Sequence, residues 1–322
     1  MKTAVTGGSG VVGKAVVRHL IDSGHQVRAL ARSDESATVL GSLGASPVPG
    51  DLTDFTALDD LARGADWVFH IGGVNELCSR DPAGMWRVNV EGTMLALEAS
   101  ARAGVRRFVH TSSAVTVGEA HGTIGTEESP HRGHFLSEYE RSKHQAERLL
   151  FERHHDVEVV AVNPSSVQGP GRSTGSGALL LEAARGRLPF LVDTMLSLVD
   201  IDDCAKGHVL AAERGRDGER YLLSGGSVSV RQLVSILSRL SGRRWSPLYL
   251  RPGLVTAMAP VVELVARVVG KRTPICPESA RVLLNGHRYD GAKATRDLGL
   301  SYTPIERTLE RAVAWFGSEG LL

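Results

Sequence analysis

Thr6-Gly7-Gly8-Ser9-Gly10-Val11-Val12-Gly13 joins a β-branched run, Lys2–Thr6, to a helical pattern over 11–23. Gly7, Gly10 and Gly13 stand three residues apart. Glycine permits the tight turn, lets the backbone approach a pyrophosphate, and lets the helix pack on the strand. The free N–H groups and positive end of the helix then face the phosphates. A glycine triplet alone is weak. With a strand before it and a helix after, it predicts a dinucleotide site in which Gly7, Gly10, Val11, Val12 and Gly13 take part.

Outward from that turn, short apolar strands alternate with helical patterns. Gln26–Ala31 and 67–71 read as strands around a helix at 57–63. A long helix fits 85–103, strand Arg107–Thr111 follows, and helix 138–154 leads to strand 157–162, ended by Asn163-Pro164. Strands separated by helices of this length imply right-handed crossovers and a parallel sheet covered on both faces. Past Pro164 a glycine- and serine-rich loop, 169–177, opens a different pattern. A helix is expected over 178–185, then a short strand over 198–201, then a helix capped by Asp202 or Asp203. The remainder, 221–322, reads as mainly helical and ends in an amphipathic stretch, 305–316. The expected fold is α/β, a doubly wound parallel Rossmann sheet with a smaller, mainly helical C-terminal substrate lobe. Residues 1–168 form the dinucleotide-binding domain, with 196–212 returning to it; 169–195 and 213–322 form the lobe.

The 322 residues are 42% hydrophobic and 23% charged, the balance of a globular protein. Lysine plus arginine is 37 against 36 for aspartate plus glutamate, a net charge of +1. A protein gripping polyphosphate chains carries a basic excess, so nucleic acid is not expected as a partner. Cys78, Cys204 and Cys276 are odd in number and far apart, which argues against a disulfide framework and a cysteine zinc site. They read as small buried hydrophobes in a reducing compartment. No leader precedes the first strand, and the expected location is cytoplasmic. His131 and His134 lack an evident third metal ligand and read as surface histidines, as do His154 and His155. Stretch 253–270 is apolar but holds Pro260, Glu263 and Arg267, too few uncharged residues to span a bilayer. It reads as a buried helix or a pocket lid, with membrane-surface contact and a subunit contact as alternatives.

The end of the second strand distinguishes the cofactors. An NAD site presents an acid there to the ribose 2′-hydroxyl. Here Arg32-Ser33 follows Ala31, and Asp34 comes two residues late. A guanidinium pairs with the 2′-phosphate, so NADP(H) is favoured over NAD(H). Asp51-Leu52 is placed to accept from the adenine amino group and cover the ring. Tyr139 and Lys143 stand four residues apart, on one helical face. A nearby ammonium favours phenolate and depresses a tyrosine's pKa, which makes Tyr139 a usable acid–base. Thr111-Ser112-Ser113 closes the preceding strand, where a serine hydroxyl can meet a substrate oxygen.

Together these motifs resemble the extended short-chain dehydrogenase/reductase superfamily over essentially the whole chain. The resemblance rests on Thr-Gly-x-x-Gly-x-x-Gly at 6–13, Asp-Leu at 51–52, His-x-Gly-Gly at 70–73, Asn89 with Gly92-Thr93, Ser113, Tyr139/Lys143, and the run 163–170. It is most similar to the dihydroflavonol-reductase-like branch, including the group labelled hopanoid-associated sugar epimerases, through 186–211 and the tail Ala314-Trp315-Phe316. The resemblance implies that Tyr139 is the general acid–base, that Lys143 holds the nicotinamide ribose and tunes Tyr139, and that Ser113 polarises a carbonyl, with Ser112 in reserve. It also implies cofactor contacts at Gly72, Gly73, Asn89, Thr111, Pro164 and Val167. Helices 85–103 and 138–154 lie where related proteins pair, so a homodimer is expected.

Three functions follow. The first is NADP-dependent reduction of a ketone or aldehyde, or oxidation of a secondary alcohol, on a small and hydrophobic substrate. The second is NAD-dependent sugar-nucleotide epimerisation. A dehydratase has Asp-Glu where this chain has Ser112-Ser113, and many epimerases carry a diphosphate-binding arginine where this chain has Leu196. The third is a non-catalytic dinucleotide sensor, against which stand the intact serine, Tyr139 and Lys143.

Overall fold

A computed structural model describes residues 1–154, 156–271, 273 and 275–322. The glycine turn joins β1 (Lys2–Thr6) to α1 (Val11–Asp22). There follow β2 (Gln26–Ala31), α2 (Asp34–Ser42), β3 (Ser46–Pro49), α3 (Phe55–Ala62) and β4 (Trp67–His70). Then come α4 (Pro82–Trp86), α5 (Gly92–Arg102), β5 (Arg107–Thr111), α6 (Glu138–Arg153), β6 (Glu158–Pro164) and β7 (Ser166–Gln168). The remaining elements are α7 (Ser176–Ala184), β8 (Phe190–Val192), β9 (Met195–Asp200), α8 (Ile201–Arg214), β10 (Glu219–Leu223) and β11 (Gly226–Ser229). They end with α9 (Val230–Ser241), β12 (Leu248–Leu250), α10 (Pro252–Val268), α11 (Pro277–Asn285) and α12 (Ile305–Ser318).

Seven parallel strands form the main sheet in the order β10-β6-β5-β4-β1-β2-β3. Its strands are covered on both faces, which is why β4 and β6 are apolar without alternation. Val16, Val17 and Leu20 of α1 meet Val209 and Leu210 of α8 on one face; Leu58 and Leu61 of α3, Leu97 of α5 and Leu150 of α6 cover the other. Strand order reverses between β1 and β4, and the crevice at such a switch point is where doubly wound sheets bind ligands. The lobe has its own core, where α7, α9 and α12 pack around Leu237, Leu309 and Phe316. Two small sheets, β11-β9-β7 and β12-β8, link it to the main sheet.

Several local expectations are corrected. The single helix over 85–103 is divided: α4 ends at Trp86, a π-helical turn spans Arg87–Glu91, and α5 starts at Gly92. The wide turn contains the buried Asn89, whose side chain grips a loop. Asp200, not Asp202 or Asp203, caps α8, its Oδ1 accepting from Asp202 N–H at 2.9 Å. Asp203 instead accepts from Thr303 N–H at 2.5 Å. Strand β10 lies inside 213–322 yet extends the main sheet by pairing with β6, so that part of the segment belongs to the sheet and not to the lobe.

The cysteine reading is also corrected. Cys78 and Cys276 form a disulfide with Cα atoms 5.9 Å apart, across a sequence separation of 198 that hides the pairing. Only Cys204 is a free, buried thiol. The bond ties the loop after β4 to the start of α11. Glu278 reinforces that tie, accepting from Cys78 N–H at 3.1 Å and from Glu138 N–H, the first residue of α6, at 3.0 Å.

Helix α10 is not a buried helix. Ala259 is its one buried residue, while Leu254, Met258, Val261, Leu264, Val265 and Val268 are exposed. Among the described residues no helix is long and apolar enough to cross a membrane.

Candidate active site

The cofactor end of the crevice is built from the glycine turn. Gly7 adopts φ +68°, a left-handed conformation that disfavours a side chain. A Cβ on Gly13 would lie 2.0 Å from the Gly7 carbonyl oxygen, so glycine is required for helix and turn to meet. Helix α1 then starts on Gly10 with no side-chain cap and no acid in its first turn. By contrast α2, α3, α6, α8 and α9 are capped by Ser33, Asp54, Ser137, Asp200 and Ser229. The first-turn N–H groups of α1, Val11 and Val12 included, are left for an anion, which fits a pyrophosphate.

At the end of β2, Arg32 projects into solvent. Ser33 is occupied as the α2 cap, its hydroxyl accepting from Ser36 N–H at 3.3 Å. Asp51 folds its carboxylate onto Thr53, taking the backbone N–H at 3.0 Å and the hydroxyl at 2.8 Å. Leu52, half-buried beside it, packs on the apolar layer below.

Under the turn runs a buried polar chain whose donors can be ordered. Gly72 N–H donates to Thr6 Oγ1 at 3.2 Å, and Thr6 Oγ1 lies 3.0 Å from His70 Nδ1. His70 Nε2 lies 3.1 Å from Thr93 Oγ1, which donates to the Asn89 carbonyl at 2.7 Å. Thr93 has thus committed its proton and must accept from His70 Nε2–H, so His70 Nδ1 accepts from Thr6. Burial, with Lys143 nearby, pushes His70 down to about 3, so it stays neutral. Asn89 is equally committed: its Oδ1 accepts from Val74 N–H at 2.7 Å, and its Nδ2 donates to Val74 O and Ser142 Oγ, both at 2.9 Å. Its part is to hold the loop that carries Gly72 and Gly73.

The residues expected to carry the chemistry, Ser113, Tyr139 and Lys143, lie where β5 and α6 meet. The Ser113 side chain acts on the Tyr139 phenol, favouring its ionised form. The Ser113 carbonyl accepts from Thr116 Oγ1 at 2.8 Å and Asn163 Nδ2 at 3.3 Å, which fixes the turn. Ser112, the reserve candidate, is buried, its hydroxyl without a hydrogen-bond partner among the described residues. Lys143 donates to the Thr111 carbonyl at 2.7 Å, and Thr111 Oγ1 meets His208 Nε2 at 2.8 Å. His208 Nδ1 meets the Cys204 carbonyl at 2.7 Å; burial pushes His208 down to about 4. Lys143 therefore sits beside two neutral histidines, His70 and His110, and burial pushes it down to about 8 against the pull of Glu147. Pro164 ends β6, and buried Val167 lies on β7 just beyond it.

One electrostatic expectation is corrected. Burial raises the Tyr139 pKa, outweighing the opposing influence of the Ser113 side chain and the charge of Arg172. The cation acting on the phenol is Arg172, from the lobe loop, while Lys143 is drawn to Thr111. Tyr139 is thus a protonated phenol at neutral pH, the form that donates.

The structure also gathers residues that the motifs did not single out: His110, His208, Glu147, Arg172 and Glu278. Only His110 and His208 had any local signal, apolar neighbours on a strand and on a helix. His131, read as a surface residue, packs against Phe135 and His144 at 4.9 and 4.7 Å, while His134 is exposed. His155 lies outside the described residues. Among the described residues no group of three or more metal-ligating side chains is present.

The profile of the NAD dependent epimerase/dehydratase family matches residues 3–224. The chain belongs to that family. It is an extended short-chain dehydrogenase/reductase, an oxidoreductase class with a pyridine-nucleotide cofactor. It is 33% identical to a dihydroflavonol-4-reductase-like protein of Synechocystis sp., over 98% of this chain and 94% of that protein. It is 30% identical to 2-alkyl-3-oxoalkanoate reductase of Stenotrophomonas maltophilia, over 98% and 99%. The crystal structure of gox2253 superposes with a TM-score of 0.86 at 32% identity, covering 99% of both chains. Family members thus include reductases as well as the epimerases of the family's name.

Proposed function

We propose that the protein is an NADP-dependent ketone or aldehyde reductase, or a secondary-alcohol dehydrogenase in reverse, acting on a small hydrophobic substrate. The observation that carries this reading is the Ser113 side chain acting on the Tyr139 phenol, beside a lysine pinned to Thr111. The bound nucleotide supplies or accepts a hydride at its nicotinamide ring. Gly7, Gly10, Val11, Val12 and Gly13 hold the pyrophosphate, and Arg32 takes the 2′-phosphate. Asp51 and Leu52 take the adenine; Gly72, Gly73, Pro164 and Val167 line the nicotinamide end. Ser113 donates to the substrate oxygen as charge develops on it, and Tyr139 gives that oxygen its proton. Lys143 holds the nicotinamide ribose and keeps a positive charge near the phenolate that forms.

Two observations weigh against the sugar-nucleotide epimerase. Leu196 packs on the lobe core and offers nothing to a diphosphate. The Ser112–Ser113 pair holds no carboxylic acid for elimination. The deciding experiment is to denature the purified protein, identify any dinucleotide released, and titrate the emptied protein with NADPH and NADH. An exchanging site that prefers NADPH is expected. Stoichiometric, tightly held NAD would overturn the NADP assignment and bring the epimerase forward.

The same reading includes a homodimer joined through α5 and α6, tested by light scattering on the eluting protein. It includes α10 as a pocket lid; contact of α10 with a membrane surface is the alternative, supported by its exposed apolar face. A cytoplasmic setting is proposed as well. The Cys78–Cys276 bond pulls against it, since disulfides persist in oxidising compartments, and counting free thiols trapped in fresh lysate tests it.

A further inference from the structure

Arg172 is the charged group in the site that carbonyl reduction leaves without a role. It lies on the loop between β7 and α7, its backbone N–H on the Gly169 carbonyl at 3.3 Å. The side chain is half-buried, and its Nε is enclosed with no hydrogen-bond partner. The acidic groups acting on it are the Tyr139 phenol and the Cys204 thiol, both pushed up by burial and hence neutral. Arg132, Arg220 and Arg311, by contrast, are paired with Glu140, Glu147 and Asp200. A guanidinium withdrawn from water without a counter-ion is costly, and its five donors suit a carboxylate or phosphate.

Helix α7 starts on Gly175 with no side-chain cap and no acid in its first turn. Arg172 Nη2 passes 3.4 Å from the place a side chain on Gly175 would occupy. The Gly177 and Ala178 N–H groups of that helix start are taken by the Thr174 and Gly175 carbonyls at 3.0 and 3.1 Å, so it is the guanidinium, acting on the Tyr139 proton donor, that favours an anion there.

We propose that Arg172 holds a carboxylate of the substrate, so that the substrate is an oxo acid whose ketone faces Ser113 and Tyr139. This rests on the reductase reading above. The hydrophobic part of the substrate then runs toward the lobe, which makes it an amphiphile: an apolar chain with an anionic head near the reacting carbon. A sugar nucleotide would offer the same guanidinium a diphosphate, an anion of the same hydrogen-bonding chemistry.

The test compares 3-oxodecanoate with its methyl ester, which keeps the ketone and removes the charge, in wild type, Arg172→Ala and Arg172→Lys. NADPH consumption gives kcat/KM for each. The acid is expected to exceed the ester roughly 10- to 100-fold in wild type, through KM, and the ratio should fall toward one in Arg172→Ala. Arg172→Lys should keep part of it. Binding of 3-oxodecanoate and of UDP-glucose to the NADP⁺ complex, by calorimetry, supplies the second arm. A wild type that turns over no carbonyl but loses 3-oxodecanoate binding in Arg172→Ala sinks the reductase reading and keeps the carboxylate site. An acid-to-ester ratio that Arg172→Ala leaves unchanged overturns the proposal. Arg172-dependent binding of UDP-glucose without binding of the oxo acid overturns it too, as does a loss confined to NADPH affinity.

Discussion

Helices α6 and α10 are of nearly equal length and opposite design. Helix α6 has 16 residues, mostly polar, yet buries Glu140, Ser142, Lys143 and Glu147. Helix α10 has 17, mostly apolar, yet buries only Ala259. In α6 each buried polar group has a partner: Glu140 has Arg132 and Leu136 N–H, Ser142 has Asn89, Lys143 has Thr111, and Glu147 has Asn163 and Arg220. Such burial is tolerable only when the hydrogen bonds are complete, and complete networks hold side chains in one place. Helix α6 is therefore held rigid by its polar contacts. Helix α10 is held by few contacts, through α11 and the Cys78–Cys276 bond, and shows its hydrophobes outward. On the proposed reading the chemistry belongs to the first region and the choice of substrate to the second.

The sharpest way to break this division is at Tyr139. Replacing Tyr139 with Phe removes the proton donor and keeps the ring, so turnover should fall by about 10²–10⁴-fold. NADPH affinity, measured by fluorescence titration, should stay within about 2-fold, because the phenol is not among the groups placed on the phosphates or adenine. Turnover that survives would return the site to a binding role.

The next largest effect is on stability. Glu140→Ala leaves Arg132 buried and unpaired, which should cost about 3–5 kcal/mol in urea unfolding, since a buried ion stripped of its partner keeps its desolvation penalty. A loss below about 1 kcal/mol would mean that α6 is not held by its polar contacts, and the comparison would fail.

The third concerns Lys143, pushed by burial from 10.5 down to about 8. Its folded pKa lies below its unfolded one, so the folded state binds fewer protons between those values. Stability from this group thus rises with pH across that window and is lost as pH falls toward about 8. Activity runs the other way, because the charged form is the useful one: kcat/KM should decline above about pH 8. Lys143→Arg keeps its charge and should remove that alkaline limb, whatever it does to the maximum rate.

These residues differ in how far the chain alone discloses them. The motifs at 6–13 and 139–143 are legible because their partners lie within one turn or one helical face, and local spacing encodes both. The main sheet is legible for the same reason, through strands that alternate with helices. Strand β10 was not, because Tyr221-Leu222-Leu223 is too short a run to separate from the helices around it. Nor was the disulfide, whose halves are 198 residues apart. Arg172 is the hardest case. Its distinguishing property is the lack of a partner, and that exists only once every acidic side chain has been placed.

The smallest effect expected is on α10, and it sharpens the comparison from the other side. Val261 and Leu264 are 60% and 62% exposed, so Val261→Ser with Leu264→Ser removes little area that folding buries. Thermal unfolding of the double variant should therefore change by no more than about 0.5 kcal/mol per site. The same variant should alter handling of hydrophobic substrates, through KM, if α10 closes over them. If α10 meets lipid instead, co-sedimentation with anionic vesicles should weaken while KM for a water-soluble ketone holds. A large loss of stability would show that these side chains are covered within the protein, and α10 would then join α6 as a packed element.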